Sequence, residues 1–208
     1  MFSFRDLLLT HRETLNLLNV YPVPDGDTGS NMAATLESVI AELDEISAES
    51  GLDAVAGAIA HGSLMGARGN SGVILSQVLR GLMGVVAGAG VGVDGRMVAG
   101  GMAAASTAAY EAVGRPVEGT ILTVVREASE AAVEAADAGA DLLAVAEAAR
   151  EAGGRSLERT PELLPVLAEA GVVDAGGYGL VLFLDALLTE VDGRPLPEAP
   201  EPPARLAS

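Results

Sequence analysis

The sequence contains no cysteine, no tryptophan and no lysine. Without cysteine the chain can form neither disulfides nor thiolate metal sites, and it has no cysteine nucleophile. Without lysine it cannot contain a Walker A loop, whose Gly-Lys-Ser/Thr segment binds phosphates. All 12 basic residues are therefore arginine, and the formal net charge is −17. Because no basic surface could neutralise a phosphate backbone, we expect no nucleic-acid binding.

Long apolar runs are also missing. The two longest uncharged stretches, residues 81–93 and 97–110, are too short and too rich in Gly and Ala to cross a bilayer. The N-terminal segment interrupts its apolar residues with charges and lacks the pattern of a signal peptide. The sequence therefore predicts a cytoplasmic protein without stable membrane insertion.

The scarcity of aromatic residues leaves Ala, Leu, Val and Gly to build the core, which favours closely packed helices. Apolar residues recur at helical spacing, and no stretch shows the period-two alternation of a strand. The pattern predicts helices over residues 2–19, 28–46, 52–64, 71–86, 94–113, 120–136, 141–157 and 176–191, with a short segment over 161–170. We therefore expect an all-α fold, an antiparallel bundle or barrel of about eight helices.

The chain is expected to form one domain over residues 1–191. Residues 192–208 are acidic and rich in proline, as is typical of a linker or tail. The Gly-rich residues 88–92 are expected to be a flexible connection.

Two aspartates, Asp25 and Asp27, flank a single glycine within residues 19–31, which read N-V-Y-P-V-P-D-G-D-T-G-S-N. Gly26 permits a backbone turn that can bring both carboxylates toward one point. Carboxylate oxygens suit Mg²⁺, which keeps some waters and takes phosphate oxygens as further ligands. Residues 19–27 of this segment, here called the acidic loop, therefore predict a magnesium site with a catalytic role for both aspartates.

A predicted helix begins directly after the acidic loop. Its first backbone amides can face an anion at the positive end of the helix, and they belong to Thr28, Gly29, Ser30 and Asn31. A metal beside such a phosphate cradle is typical of a nucleotide site. The same residues are also common in turns, with Asp27 or Thr28 as the helix N-cap. A structural turn and a nucleotide site therefore both stay open as interpretations.

Residues 66–72, G-A-R-G-N-S-G, form a second glycine-rich segment at a helix start. Successive amides of such a loop could bind a phosphate through Asn70, Ser71 and Gly72. Arg68 could stabilise charge on a phosphoryl group in transit. The alternative is a plain helix–helix turn, with Arg68 in a surface ion pair.

Two further segments carry candidate contacts. Thr120, at the start of the sixth predicted helix, is expected above all to be its cap. Residues 171–179 place four glycines around Asp174, which indicates backbone passing close to an adenine or ribose; a long flexible turn is the alternative. His11 is expected to be structural. His61, which precedes the glycine-rich segment 66–72, is expected to be packed, and the alternative is that it reaches the site.

Four motifs in this order carry a family resemblance: N-V-Y-P-V-P-D-G-D-T-G-S-N-M, G-A-R-G-N-S-G-V-I-L-S-Q, E-G-T-I-L-T-V-V-R-E-A and V-D-A-G-G-Y-G-L. Over residues 4–190 the chain resembles the N-terminal domain of bacterial fatty acid kinases. That domain is in turn similar to the nucleotide-binding L subunit of dihydroxyacetone kinase. The resemblance implies an eight-helix barrel with ATP or ADP and Mg²⁺ bound at one end.

The resemblance also implies roles for individual residues. Asp25 and Asp27 match the magnesium-binding aspartates. The implied nucleotide contacts are Thr28, Gly29, Ser30, Asn31, Asn70, Ser71, Thr120, Ile121, Asp174, Ala175 and Gly176. The dihydroxyacetone kinase pattern has a third aspartate shortly before the pair, and here Asn19 is expected to supply a neutral oxygen ligand instead.

Fatty acid kinases make an acyl phosphate from ATP and a fatty acid presented by a separate carrier protein, so that carrier is the implied partner. A carboxylate is already ionised near neutral pH and needs no general base. Two other functions stay open: the nucleotide-binding subunit of a small-alcohol kinase, and a non-catalytic nucleotide-sensing module. The sequence also leaves homodimer formation open.

Overall fold

The computed structural model describes residues 1–47, 49–88 and 92–200, and ten helices lie within these ranges. The helices are α1 (Phe2–Thr10), α2 (Arg12–Leu17), α3 (Thr28–Asp44), α4 (Leu52–Met65), α5 (Gly69–Val86), α6 (Gly95–Glu111), α7 (Ile121–Asp137), α8 (Leu142–Leu163), α9 (Pro165–Ala170) and α10 (Ala175–Asp192). The described ranges contain no strand. The all-α prediction is confirmed.

The long helices pack in a closed ring. Each of α3 to α8 contacts the next helix along the chain, α8 contacts α10, α10 contacts α1, and α1 returns to α3. Phe4 of α1 and Phe183 of α10 meet edge to face, with ring centroids 5.3 Å apart, where the ring closes. Successive helices run in opposite directions around the ring, so the fold is an antiparallel helical barrel.

Two predicted helices have different bounds in the structure. The first is interrupted at His11, although the His11 amide still donates to the Leu7 carbonyl at 2.8 Å. The seventh continues through Pro161, because the Thr160 hydroxyl donates to the Leu157 carbonyl at 2.7 Å and replaces the amide that proline lacks. Pro165 then ends α8, since the residue before a proline prefers an extended backbone.

The segment after α10 contacts the barrel. Arg194 forms an ion pair with Glu147 at 2.8 Å, and Leu196 packs against the main core. The carbonyl of Pro197 lies 3.2 Å from Nε2 of His11. The first residues of the predicted linker are therefore anchored, whereas residues 201–208 of that linker and residues 89–91 of the predicted flexible connection lie outside the described ranges.

The core is built from aliphatic and small side chains, as the composition predicts. The larger of two clusters fills the barrel, and a smaller one, around Leu18, Leu164 and Leu167, lies beneath the loops at one end. Within the part of the chain that the structure describes, no helix combines the length and the apolar character that crossing a membrane requires.

Candidate functional site

Four helices begin at the same end of the barrel, and a cleft of about 740 Å³ opens between their first turns. These helices are α3, α5, α7 and α10. Most of the predicted site residues line this cleft: Asn19, Asp25, Asp27, Thr28, Asn31, Asn70, Ser71, Thr120, Ile121, Asp174 and Gly176. Residues from four distant parts of the sequence therefore meet at one site.

The carboxylate of Asp27 is free of a capping role. Asp27 occupies the N-cap position of α3, yet its side chain accepts no hydrogen bond from that helix. By contrast, the aspartates that cap α6, α8 and α10 each accept a hydrogen bond from a backbone amide of their helix. Capping therefore explains those three aspartates and leaves Asp27 available to bind a ligand.

Asp25 is exposed in the cleft, and its carboxylate accepts a hydrogen bond from the side chain of the buried Asn19. Nδ2 of Asn19 donates to Oδ1 of Asp25 at 2.7 Å, and Asn19 is 6% exposed. An ionised carboxylate can only accept, so the amide nitrogen of Asn19 faces it. In this arrangement Asn19 orients Asp25, and the predicted role of Asn19 as a direct metal ligand stays a prediction.

The acidic loop fits a Mg²⁺ ion that is also bound by a phosphate ligand. Within the described ranges, no cluster of three or more His, Cys, Asp or Glu side chains could hold a metal ion. Mg²⁺ does not need such a cluster, because it is commonly bound by one or two carboxylates together with waters and substrate phosphates. Asp25 and Asp27 therefore fit a magnesium ion shared with a phosphate ligand, and they do not fit one held by protein alone.

Residues with unpaired backbone amides line the cleft at two helix starts. Within the described ranges, the amides of Thr28, Asn70 and Ser71 have no protein acceptor, as is usual for the first turn of a helix. The Ser30 amide instead donates to Oδ1 of Asn16 at 3.1 Å, and the Asn31 amide donates to the Asp27 carbonyl at 2.8 Å. Two helices thus contribute amides without a protein acceptor to the cleft lining, and the Ser30 amide is not among them.

Two predicted contacts, Gly29 and Gly72, lie outside the cleft and serve helix packing. A Cβ at Gly29 would lie 2.5 Å from the carbonyl oxygen of Arg12, and one at Gly72 would lie 2.4 Å from Oγ1 of Thr35. At both positions another helix occupies the space of a side chain. Close packing of α3 on α2 and on α5 therefore explains these glycines.

Two of the four glycines of residues 171–179 have a similar explanation. A Cβ at Gly177 would lie 2.9 Å from Cγ2 of Val124, and one at Gly179 would lie 2.5 Å from Cε of Met32. Both glycines belong to α10, so neither a flexible turn nor a ligand accounts for them. Gly176 lines the cleft, whereas Ala175 is buried in the smaller core cluster.

Asp174 is the buried acid of the cleft. Its Oδ2 accepts the Gly177 amide at 2.7 Å and caps α10, and its own amide donates to Oγ1 of Thr160 at 3.0 Å. Burial raises the pKa of Asp174 to about 6, although hydrogen bonds from the Gly177 and Ile121 amides oppose the rise. Near pH 6 this residue therefore changes charge at the wall of the cleft.

We expect Asp174→Asn to change how stability depends on pH. Because the pKa of Asp174 is raised on folding, its protonated form stabilises the folded state. This stabilisation is fully present below pH 3.8, the pKa in the unfolded chain, and is lost as the pH rises through about 6. The difference between these two pKa values corresponds to about 3 kcal/mol in the free energy of unfolding. Asparagine keeps an oxygen that can cap α10 but does not titrate. Urea denaturation without divalent ions should therefore show wild type losing about 2–3 kcal/mol relative to the variant between pH 4 and 7; parallel pH profiles would contradict this.

A polar network that sequence reasoning missed holds the loop before α7. Glu118 accepts hydrogen bonds from Tyr110 at 2.9 Å, from Thr123 at 2.7 Å and from Arg126 at 2.9 Å. Partial burial opposes ionisation of Glu118, but these bonds outweigh it and lower its pKa. Thr120 accepts the Leu122 amide at 3.3 Å, so its predicted capping role is confirmed.

The arginine of the cleft is not the predicted one. Arg68 is exposed, its guanidinium donates to the Ala67 carbonyl at 3.1 Å, and it is not among the residues that line the cleft. Arg115, in the loop between α6 and α7, does line it. Sequence reasoning missed Arg115, which lies three residues before Glu118 and just outside the third motif.

The two histidines differ from each other. His11 is 1% exposed and its Nδ1 lies 2.8 Å from the Tyr178 hydroxyl, as expected of a structural residue. His61 was expected to be packed, but it is exposed and lies 3.1 Å from Glu42 on the outer surface. Neither histidine lines the cleft.

The sequence model of the DAK2 domain matches residues 22–189, so the chain belongs to the DAK2 domain family. Protein YloV of Bacillus subtilis (strain 168) is 41% identical over 203 residues, which cover 94% of this chain and 36% of YloV. Uncharacterized protein SAUSA300_1119 of Staphylococcus aureus (strain USA300) is 41% identical over 186 residues, covering 89% of this chain and 34% of that protein. The chain thus spans about a third of the length of these relatives.

The fold is shared with a solved kinase. The native form of the dihydroxyacetone kinase of C. freundii superposes with a TM-score of 0.63 at 21% identity, covering 90% of this chain and 33% of that chain. The complex of that kinase with AMP-PNP and Mg²⁺ gives a TM-score of 0.62 at 22% identity, covering 91% and 32%. The predicted barrel of the dihydroxyacetone kinase L-domain type is confirmed.

Proposed function

We propose that this chain is the ATP-binding domain of a kinase that phosphorylates a fatty-acid carboxylate, presented by a separate carrier protein, to an acyl phosphate. The observation that carries the proposal is the free carboxylate of Asp27, which lies with Asp25 in a cleft whose unpaired helix amides suit phosphates. Sequence identity of 41% to YloV extends the family relationship over nearly the whole chain.

Each part of the cleft has a role in this proposal. Asp25 and Asp27 would hold Mg²⁺, with Asn19 orienting Asp25. The amides and side chains of Asn70 and Ser71 would bind phosphate oxygens. When bound, Mg²⁺ would supply charge screening for the phosphates. The chain itself contributes by positioning the nucleotide rather than by moving protons.

The apolar part of the lining suits the base of a nucleotide. It includes Ile74, Val113, Val117, Ile121 and Leu122, on α5, on α7 and in the α6–α7 loop. Ligand pockets commonly combine such apolar walls with a few polar groups that set orientation. Thr120 and Gly176 lie beside this wall and would contact the nucleoside.

The lining is compatible with an acceptor that is already ionised. Neither histidine of the chain lines the cleft, and the chain has no lysine. A fatty-acid carboxylate is ionised at neutral pH and can attack phosphorus without losing a proton. A hydroxyl acceptor would need a base, which one of the cleft aspartates or a partner subunit would have to supply.

The second candidate is the nucleotide-binding subunit of a small-alcohol kinase, which the fold shared with dihydroxyacetone kinase favours. The two candidates differ in the acceptor and in the partner. Turnover of ATP with a fatty acid and its carrier protein supports the first. Turnover with dihydroxyacetone and a base-supplying partner supports the second, and nucleotide binding without turnover in either assay supports a sensing module.

Nucleotide binding itself is tested by calorimetric titration of the chain with ATP and with ADP, each in the presence of Mg²⁺ and of EDTA. We expect binding that depends on Mg²⁺, because the acidic loop would otherwise repel the phosphates. Absence of binding under both conditions would refute every kinase candidate. Binding that is tighter in EDTA would refute the role of the acidic loop.

A further inference from the structure

Arg115 stands apart from the other arginines of the chain. Within the described ranges it is the one arginine of the cleft lining, where it lies with three aspartates. Seven arginines form ion pairs with carboxylates: Arg5, Arg12, Arg126, Arg150, Arg155, Arg159 and Arg194. The Arg115 guanidinium has neither an ion pair nor a hydrogen bond to the described residues. Arg115 therefore adds an unpaired positive charge to a cleft that is also lined by three aspartates.

The backbone that carries Arg115 is held on its C-terminal side. Val117 packs against the smaller core cluster, and its carbonyl accepts the Thr120 hydroxyl at 2.8 Å. Glu118 is fixed by Tyr110 and Arg126. The loop therefore presents a free guanidinium from an anchored backbone, which is the arrangement that ligand recognition by arginine requires.

Two other arginines without an ion pair to the described residues make hydrogen bonds instead. Arg68 donates to the Ala67 carbonyl, and Arg80 donates to Oε1 of Gln77 at 2.7 Å on the outer face of α5. Neither lines the cleft. Among the arginines that the structure describes, Arg115 is thus the one that a ligand in the cleft would meet.

We propose that Arg115 is a catalytic residue that contacts the γ-phosphoryl oxygens of ATP and stabilises their charge during transfer. This inference rests on the proposed kinase function and adds a residue to it. An acceptor carboxylate oxygen forms a bond to the γ-phosphorus while the bond from that phosphorus to the β–γ bridging oxygen breaks. The electron pair of the broken bond leaves with ADP, and no proton moves, because the acceptor is already ionised. The guanidinium keeps its protons and donates hydrogen bonds throughout.

The test distinguishes binding of the phosphoryl group during transfer from binding of the nucleotide alone. Affinity is measured for Mg·ADP and for Mg·ADP with aluminium fluoride, which mimics the planar phosphoryl group. Three variants are compared with wild type: Arg115→Ala, Arg115→Lys and Arg96→Ala. Arg96 is the matched control, because it is also exposed and unpaired within the described ranges but lies at the opposite end of the barrel, in the first turn of α6. Thermal unfolding checks that every variant is folded.

We expect Arg115→Ala to weaken the aluminium fluoride complex by on the order of 100-fold and Mg·ADP alone by less than about 3-fold. Arg115→Lys should fall between, since lysine keeps the charge without the planar donor pair, and Arg96→Ala should match wild type. Equal losses for both ligands, no loss, or a wild type that gains no affinity from aluminium fluoride would each overturn the role of Arg115. A wild type that binds no Mg·ADP would instead refute the proposed function, and the inference with it.

Discussion

Replacing Asp25 and Asp27 together by asparagine will weaken binding of Mg·ATP by about 100-fold or more, because both proposed carboxylate ligands of the metal lose their charge. Asparagine is close in shape to aspartate and favours the same turn conformations. Neither carboxylate is buried, and Asp27 does not cap α3, so the barrel should keep its stability. Calorimetric titration of both proteins with ATP, with and without Mg²⁺, measures the effect.

The control for this variant is Asp44→Asn. Asp44 is an exposed aspartate at the opposite end of α3, so its replacement changes the net charge without touching the cleft. We expect the control to bind Mg·ATP as wild type does. In EDTA the double variant should bind ATP no more weakly than wild type, because the carboxylates that repel the phosphates are gone. If the double variant keeps the affinity of wild type in Mg²⁺, the acidic loop does not hold the metal.

Gly81→Ala will destabilise the barrel by about 3 kcal/mol or more, because α5 and α6 have no room for a methyl group there. A Cβ at Gly81 would lie 2.6 Å from the carbonyl oxygen of Ala104 and 2.7 Å from the Cα of Ala105. Both atoms belong to the backbone of α6, so relief requires the two helices to move apart. Urea denaturation monitored by circular dichroism gives the free energy of unfolding.

Gly84→Ala is the matched control on the same helix. Nothing lies within 4 Å of a Cβ built at Gly84, so the substitution adds no contact. Alanine has a higher helix propensity than glycine, and we expect a gain in stability of up to about 1 kcal/mol. The two variants should therefore change stability in opposite directions. A Gly81→Ala protein as stable as Gly84→Ala would show that the α5–α6 contact is looser than described.

Much of the fold was predictable because helix formation is encoded locally. Apolar spacing placed all eight long helices within a few residues of their observed bounds, apart from the extension of α8 and the interruption at His11. The extension depends on Thr160, whose hydroxyl donates to the carbonyl that Pro161 leaves unpaired. A rule that proline starts or ends a helix overlooks such a local replacement.

The glycine-rich segments were harder to interpret. A nearby ligand and a nearby helix both exclude a side chain, so glycine in a sequence does not tell the two apart. The structure shows helix packing at Gly29, Gly72, Gly177 and Gly179. The polar neighbours of these glycines, such as Asn70 and Asp174, do line the cleft. The structure thus brings most of the predicted site residues to one cleft, and helix packing accounts for these four glycines.

The sequence by itself determined the helical fold, the absence of cysteine and lysine chemistry, and the acidic pair at the start of α3, because each depends on neighbouring residues. Tertiary structure alone decided that four helix starts meet at one cleft, that Arg115 rather than Arg68 lines it, and that burial raises the pKa of Asp174. These properties depend on residues far apart in the chain. Only the closed packing of the helices brings those residues together.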